Sequence, residues 1–320
     1  MQRKIKNMRL RNSIAFLGIG LLMFAACSKN KNIVSVVPVD PVEQAKKDND
    51  SLVKYLQTHY LNNDGNLYTI KNGERPLLED VTTEAITLNT VAYKLYYLSL
   101  STGTTLAPTR SDSILVKYAG FLLDSTKFDS RTLAWLDLTQ VVQGWKYGFV
   151  HFKGGDKIIN SDESLSYVNN GKGFLFIPSG LGFGQGATGL IPSNNPLIFK
   201  FELNDVRRAD HDQDGILSNL EDIDNDGEVA NDDTNGNGFP DFLDADDDGD
   251  TILTKDEDVN GNGTVFDDDT DGDGIANYLD KDDDGDGKLT KDEDANRNGN
   301  FNDDDSDGDG IPNYLDKDSK

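Results

Sequence analysis

The chain has 320 residues and a formal net charge of −26, from 57 acidic and 31 basic side chains. Residues 210–320 hold 39 of the acidic and only 7 of the basic side chains, so the acidity belongs to this tail. Because such a tail repels phosphate, its charge argues against nucleic acid as a partner, and the length allows two or three domains.

Residues 1–26 are typical of an export signal rather than of folded structure. Five basic and no acidic side chains occur in residues 1–11, and an apolar run follows at 14–26 that is too short to span a bilayer. The run ends in two alanines directly before Cys27. This junction resembles a bacterial lipobox, which implies that Cys27 is lipidated and anchors the chain to a membrane. An ordinary cleaved signal with an incidental cysteine is the alternative.

The polar segment 27–50 is predicted to be a tether, and 51–90 an N-terminal helix followed by a segment of undetermined type. Leu52, Val53, Leu56 and Tyr60 lie near helical spacing, which predicts a helix within residues 42–60. A turn at residues 62–65 would end that helix.

From Val91 the pattern changes to that of strands, with β-prone runs at residues 93–99, 114–119, 174–177 and 197–203. One helical stretch is predicted at 139–149. Few helices among many strands indicate an α+β fold with an antiparallel sheet.

The chain lacks the spacing of a hydrolytic or metal-dependent enzyme. The three histidines, His59, His151 and His211, have no Cys or His partner at ligand spacing. Residues 184–189 match G-x-G-x-x-G formally, but no helix follows them, so a dinucleotide site is not predicted.

Three blocks in residues 91–206 resemble the FKBP-type peptidyl-prolyl isomerase family. They are Val116-Lys-Tyr118-Ala-Gly120 through Phe128-Asp129-Ser130, then Val141-Val142-Gln-Gly144-Trp145, then Phe176-Ile177-Pro178 through Phe183, Ile191 and Phe199-Lys-Phe201. The resemblance implies an antiparallel sheet curved around one short helix, and an isomerase that needs no cofactor. It also implies a shallow pocket with Trp145 as its floor, Asp129 at its edge and an N–H of Val142 that binds a substrate carbonyl. The walls would be Tyr118, Phe128, Val141, Val142, Ile191 and Phe199.

Three departures from that family leave a second interpretation open. Phe183 stands where the family usually has Tyr. The segment between Asp129 and Val141, which in the family usually supplies an aromatic residue to the pocket, is short here, and Leu133 or Trp135 could take the place of that residue. Residues 153–172 resemble an insertion. The alternative is therefore a catalytically weak binding module on a calcium-dependent adhesive or structural lipoprotein.

The tail repeats a twelve-residue frame nine times, starting at Asp210, with Asp or Asn at positions 1, 3 and 5 and an acid at position 12. Position 6 is Gly in eight frames, and Thr251 is the exception. This is the spacing of a Ca²⁺ loop. A run such as Asp305-Ser-Asp307-Gly-Asp309-Gly310 resembles the thrombospondin type 3 repeat, which implies a chain wrapped around ions with little apolar core. A disordered acidic spacer is the alternative.

The nine frames form three copies of a 36-residue unit, starting at residues 210, 246 and 282, with three loops in each. The predicted metal ligands of unit 1 are Asp210, Asp212, Asp214, Glu221, Asp222, Asp224, Asp226, Asp233, Asn235, Asn237 and Asp244. Those of unit 2 are Asp246, Asp248, Asp250, Glu257, Asp258, Asn260, Asn262, Asp269, Asp271, Asp273 and Asp280. Those of unit 3 are Asp282, Asp284, Asp286, Glu293, Asp294, Asn296, Asn298, Asp305, Asp307, Asp309 and Asp316.

These features together predict a lipid-anchored isomerase of the bacterial cell envelope, placed at the outer membrane. Its expected partners are proline-containing exported polypeptides. Several Ca²⁺ ions are expected in the tail. A protein or glycan that binds the tail in a calcium-dependent manner is a further possible partner.

Overall fold

The computed structural model describes residues 39–319. The predicted export signal, the lipidation site Cys27 and the tether residues 27–38 lie outside the described residues. Among the residues that are described, no helix is both long and apolar enough to cross a membrane.

Residues 41–207 form the sheet domain, which has two helices and ten strands. Six of the strands form one antiparallel sheet in the order β3-β4-β9-β10-β5-β6, and two hairpins, β1–β2 and β7–β8, lie beside it. The elements are α1 Pro41–Thr58, β1 His59–Leu61, β2 Leu67–Thr69, β3 Thr82–Leu88, β4 Val91–Thr102, β5 Ser113–Leu122, β6 Lys127–Asp137, α2 Gln143–Phe149, β7 Asp156–Ile159, β8 Leu165–Val168, β9 Gly171–Ile177 and β10 Leu197–Arg207.

The two helices cover opposite faces of this sheet. Trp145 and Phe149 of α2 belong to one core cluster, with Leu175 and Phe201 of the sheet. Because side chains alternate along a strand, the next residues point the other way. Phe174 and Phe176 therefore belong to a second core cluster, together with Leu52 and Leu56 of α1 and with Tyr96 and Ile198 of the sheet.

Helix α1 begins where its sequence provides both a cap and a proline. The Asp40 carboxylate accepts a hydrogen bond of 2.9 Å from the Val42 N–H, and Pro41 occupies the first turn. Leu52 and Leu56, four residues apart, are fully buried. The helix predicted within 42–60 is confirmed, but the predicted tether is wrong for residues 41–50, which are helical.

The four predicted strands are confirmed, and each is longer than its β-prone run. Within residues 51–90, the segment of undetermined type contains β3, which pairs with β4 at the edge of the sheet, so the sheet begins before Val91. The helix predicted at 139–149 is divided into a 3₁₀ turn, Leu138–Gln140, and α2. The insertion-like segment 153–172 forms the hairpin β7–β8 and the start of β9.

The repeat region, residues 210–319, has loops and short 3₁₀ turns, as predicted for an array with little regular secondary structure. Its turns are Asp241–Leu243, Thr254–Asp256, Asn277–Leu279, Thr290–Asp292, Phe301–Asp303 and Asn313–Leu315.

Three polar contacts hold the start of the repeat region against the sheet domain. Arg208 pairs with the buried Asp112, and His211 Nε2 lies 3.1 Å from Asp137 Oδ2. Arg110 lies 3.1 Å from Glu228 and also covers the ring of Tyr147 on α2 at 4.1 Å. The junction between the two regions is therefore packed rather than a free linker.

If α1 belongs to the sheet domain, truncating its buried face must destabilise that domain. We expect Leu56→Ala to lower the free energy of unfolding by ~2–5 kcal/mol, since it removes a fully buried side chain. Val42→Ala, at a position 61% exposed on the same helix, is the matched control, with a change under about 0.5 kcal/mol. Urea denaturation followed by near-UV circular dichroism measures both. Equal stabilities of the two variants would contradict the assignment of α1 to the domain.

Candidate active site and candidate cation sites

A cavity of about 420 Å³ opens on the sheet domain between α2, the strands β5, β6 and β10, and the loop after β9. All nine residues predicted for the pocket line it, namely Tyr118, Phe128, Asp129, Val141, Val142, Trp145, Phe183, Ile191 and Phe199. The lining also includes Leu136, Gln140, Thr188, Gly189 and Leu190.

Trp145 and two other rings form the aromatic base of this cavity. Its ring meets those of Tyr118 and Phe199 edge to face, each at a centroid distance of 5.0 Å and an interplanar angle of 88°. Phe128 meets Phe199 in the same manner at 5.5 Å. Edge-to-face packing is a favourable arrangement of aromatic quadrupoles, so these rings hold one another in place.

Close packing of α2 on the sheet sets the depth of Trp145. Gly144 and Gly148 lie one helical turn apart and face Ile177 and Leu175 of β9. A Cβ at Gly144 would come within 2.3 Å of Ile177 Cγ2, and one at Gly148 within 2.7 Å of Leu175 Cδ1. Only glycine allows this approach, and it leaves Trp145 3% exposed at the base of the cavity.

Asp129 provides the one carboxylate in the cavity lining. The Tyr118 hydroxyl donates a 2.6 Å hydrogen bond to its Oδ2, and the Ser130 N–H donates a 2.8 Å bond to its Oδ1. Burial raises the pKa of Tyr118 to about 12, and the hydrogen bond to Asp129 adds to the rise. Tyr118 therefore stays a neutral donor at neutral pH and fixes the orientation of the carboxylate.

Helix α1 supports the loop that carries Phe183 and Ile191. Asp48 is 1% exposed, and its Oδ2 accepts hydrogen bonds from the Ser179 N–H at 2.7 Å and the Ser179 hydroxyl at 2.6 Å. Ser179 starts the 3₁₀ turn Ser179–Leu181, which ends two residues before Phe183. Sequence reasoning missed this role of Asp48, because 131 residues separate the partners and no local pattern marks the pair.

Neither Leu133 nor Trp135 replaces the pocket aromatic. Both lie on β6 with substantial exposure, and the Arg207 guanidinium covers the Trp135 ring at 4.5 Å. Leu136 and Gln140 line the cavity instead. The short segment after Asp129 thus gives this side of the cavity an aliphatic and an amide side chain.

In the repeat region, all nine frames fold into the same loop. Positions 4 and 6 have left-handed backbones in every loop, with φ of 60–80° and 78–100° respectively. The position-5 side chain accepts a hydrogen bond from the position-7 N–H in all nine loops. Thr251 holds the position-6 conformation at a φ of 85° without being glycine, which costs backbone strain.

Several acids of these loops are buried without the partners that a buried charge requires. Glu221 and Glu257 are each 1% exposed, and no carboxylate oxygen of either has a hydrogen-bond partner among residues 39–319. Burial raises the pKa of Glu221 to about 10 and that of Glu257 to about 11, with neighbouring aspartates adding to both. Oxygen-only clusters of this kind fit a hard divalent cation, which would compensate the charge.

The structure brings predicted ligands together in several clusters of carboxylates. Carboxylate oxygens cluster in the sets Asp210, Asp212 and Asp214, then Asp248, Asp250 and Glu257, then Asp269, Asp271 and Asp273. Asp232, which the frame does not predict as a ligand, clusters with Asp222 and Asp224 in the loop that begins at Asp222. Asp232 is buried, and its Oδ1 accepts hydrogen bonds from two N–H groups of that loop.

The asparagines predicted as ligands act as donors to neighbouring acids. Asn235 and Asn237 donate to Asp244 Oδ2 at 2.8 and 2.7 Å. Asn262 and Asn298 donate in the same way to Asp267 and Asp303. The loops with Asn at positions 3 and 5 therefore satisfy part of their charge with amide donors of the loop itself.

Comparison with known proteins identifies the family of the sheet domain. A family model described as FKBP-type peptidyl-prolyl cis-trans isomerase matches residues 104–204. The FK506-binding protein of Neisseria meningitidis serogroup C is 39% identical over 101 residues, which cover 29% of this chain and 79% of that protein. The chain therefore belongs to the FKBP-type peptidyl-prolyl isomerase family.

Two longer relatives match a smaller part of their own length. FkpA of Aeromonas hydrophila is 30% identical over 148 residues, which cover 45% of this chain and 49% of that protein. Outer membrane protein MIP of Legionella longbeachae is 31% identical over 121 residues, which cover 36% of this chain and 45% of that protein. The chain thus spans about half the length of these relatives.

The repeat region matches a different family model. Its description is BamM C-terminal, and the matched residues are 211–257 and 250–302. The two matches start 39 residues apart, close to the 36-residue period of the repeat.

Phe183 offers a gain-of-function test of the pocket. It lines the cavity and is 41% exposed, so a hydroxyl can be added without burial. We expect Phe183→Tyr to raise kcat/KM for a prolyl peptide about fivefold, because one added hydrogen bond is worth ~1 kcal/mol. Phe239→Tyr, at an exposed position of the repeat region, is the control and should change nothing. Equal rates for both variants would place Phe183 outside the substrate contact surface.

Proposed function

We propose that the chain catalyses cis–trans isomerisation of X–Pro bonds in polypeptides. The observation that carries this proposal is the single cavity in which all nine expected residues meet, with the carboxylate of Asp129 fixed at its edge. Membership of the isomerase family supports the same activity.

The reaction needs an apolar cavity more than it needs a nucleophile. Rotation about an X–Pro bond has a barrier of ~18–20 kcal/mol, which comes from amide resonance. In the twisted state that resonance is lost, so the carbonyl is less polarised and less strongly hydrated. A cavity lined by Trp145, Phe128 and Phe199 stabilises this state relative to the planar, hydrated amide, which is catalysis by differential binding.

Each lining group has a role in holding the substrate. The prolyl ring packs on the indole of Trp145, between the rings of Tyr118 and Phe199. The Val142 N–H lies at the start of α2 and makes no hydrogen bond within the described part of the chain, so it is free to bind the carbonyl after the proline. Asp129 lies beside the twisting amide, held there by Tyr118.

The cell envelope is the proposed location. The apolar run at 14–26 and the alanines before Cys27 support export and a lipid anchor on Cys27. A relative named outer membrane protein MIP supports the same compartment. The substrates are then exported polypeptides, whose X–Pro bonds otherwise isomerise in roughly tens to hundreds of seconds.

A binding module without useful catalysis is the second candidate. The observation that favours it is Phe183, which lines the cavity without the hydroxyl that the family usually places there. Both candidates need the cavity to bind a prolyl segment, so the rate of isomerisation separates them.

A refolding assay limited by prolyl isomerisation tests the enzyme directly. We expect the full chain to accelerate the slow phase, and Asp129→Val or Trp145→Ala to reduce kcat/KM at least about tenfold, or ~1.4 kcal/mol. The matched controls are Asp162→Val in the β7–β8 turn and Trp135→Ala, both exposed and outside the cavity. No acceleration by the wild type would favour the binding module.

We further propose that the acidic loops of the repeat region bind Ca²⁺. The buried, unpartnered carboxylates support this, since they need positive charge and offer only hard oxygen ligands. Glu221, Glu257 and Glu293, the acids at position 12 of the first loop in each unit, are buried and would each hold an ion. Metal binding then contributes to folding of the region.

Calcium should therefore compact the repeat region. Without metal, 39 acidic side chains against 7 basic ones repel one another. We expect the radius of gyration from small-angle scattering to fall when CaCl₂ is added to the chelator-treated full chain. Magnesium chloride at equal ionic strength is the control and should have a smaller effect, because Mg²⁺ gives up its water reluctantly. Identical curves for the two salts would indicate screening alone.

A further inference from the structure

Two buried aspartates lie outside the predicted ligand set. Asp247 and Asp283 occupy position 2 in the first loops of units 2 and 3, a position assigned no ligand by the twelve-residue spacing. They are 1% and 2% exposed, and both carboxylate oxygens of each lack a hydrogen-bond partner within residues 39–319. A buried carboxylate in that state needs a cation or a donor.

Each of these aspartates faces the preceding unit. Ligand atoms of Asp214, Glu221 and Asp247 lie within 4.8 Å of one another. Those of Asp248, Asp250, Glu257 and Asp283 form an equivalent set, also within 4.8 Å. In both sets the other acids belong to the first loop of the unit before, so the position-2 acid completes a cluster that its own unit does not contain.

The backbone holds position 2 in the same way in all three units. A hydroxyl at position 9 accepts a 3.2 Å hydrogen bond from the position-2 N–H in the pairs His211–Ser218, Asp247–Thr254 and Asp283–Thr290. In unit 1, where no unit precedes, His211 contacts Asp137 of the sheet domain. The residue at position 2 therefore contacts the preceding part of the chain in every unit, which is the sheet domain for unit 1 and the preceding unit for units 2 and 3.

Small apolar contacts lie between the same pairs of units. Ile216 of unit 1 packs with Val265 and Tyr278 of unit 2. Ile252 of unit 2 packs with Phe301 and Tyr314 of unit 3, one period later. These clusters are too small to offset the mutual repulsion of three or four buried carboxylates beside them.

We propose that Asp247 and Asp283 each donate a ligand to a Ca²⁺ ion held in the first loop of the preceding unit, so that one ion joins two consecutive units. This rests on the calcium binding proposed above. The ligands are all carboxylate oxygens, which suits Ca²⁺ rather than a softer metal. Removing the ion leaves the repulsion uncompensated and separates the units.

The third unit has no equivalent acid after it. Ser319 stands 36 residues after Asp283, and Glu293 of that unit's first loop is 3.7 Å from Lys288 instead. The first loop of unit 3 therefore binds its ion with fewer charged ligands and more weakly than the first loops of units 1 and 2.

Calorimetric titration of the chelator-treated full chain with CaCl₂ tests the proposal. The test variant is Asp247→Asn with Asp283→Asn, and the control is Asp256→Asn with Asp292→Asn. The control acids are exposed, lie in the same first loops and are also 36 residues apart, so the change in charge is identical. We expect at least about a tenfold loss of affinity at two sites in the test variant and none in the control.

The outcomes separate this inference from the calcium binding on which it rests. No heat with the wild type would overturn calcium binding itself. Binding by the wild type, with the test variant titrating like the control, would leave calcium binding intact and overturn ligation between units. Replacing a buried anion by an isosteric amide reduces repulsion in the metal-free chain, so the variants are not expected to unfold. Near-UV circular dichroism verifies that the sheet domain of each variant is folded.

Terbium luminescence supplies a second measurement for each site separately. Tyr278 is buried near Asp247 and Glu221, and Tyr314 near Asp283 and Glu257, so each can sensitise the ion beside it. We expect Asp247→Asn to lower the emission, and to have no further effect in a Tyr278→Phe background. Asp283→Asn should still lower the emission in that background. Unchanged emission in both aspartate variants would overturn the proposal.

Discussion

The close contact between α2 and the sheet is the constraint on which the candidate active site depends. Gly144 and Gly148 bring the helix against Ile177 and Leu175, and this distance places the Trp145 indole at the base of the cavity. Tyr118, Phe128 and Phe199 then meet its ring or one another edge to face. The base of the cavity is thus a consequence of core packing.

The repeat region, unlike the sheet domain, buries mainly charged rather than apolar side chains. Its apolar clusters hold only a few side chains each, and its buried groups include many carboxylates. The sheet domain is organised by exclusion of water from apolar faces, whereas the loops are organised around sites that require positive charge. With calcium bound as proposed above, we expect the two regions to respond differently to the removal of divalent ions.

The pocket could be predicted from sequence because its residues occur in short blocks with specific neighbours, and all nine lie around one cavity. The role of Asp48 could not, since its partner Ser179 is distant in the chain and the pair has no local signature. The strand β3 could not be predicted either, because what places it in the sheet is its pairing with β4 rather than a local pattern. In the repeat region, the frame predicted the loops but not which acid of each would be buried, which depends on the neighbouring unit.

The packed junction fixes the orientation of the repeat region relative to the sheet domain. The two regions are attached at three points, whereas a single point would allow one region to rotate against the other. The contacts are Arg208 with Asp112, His211 with Asp137, and Arg110 with Glu228 and Tyr147. Tyr147 lies on α2, two residues from Trp145. A partner bound to the repeat region is thereby held in a fixed orientation relative to the opening of the cavity.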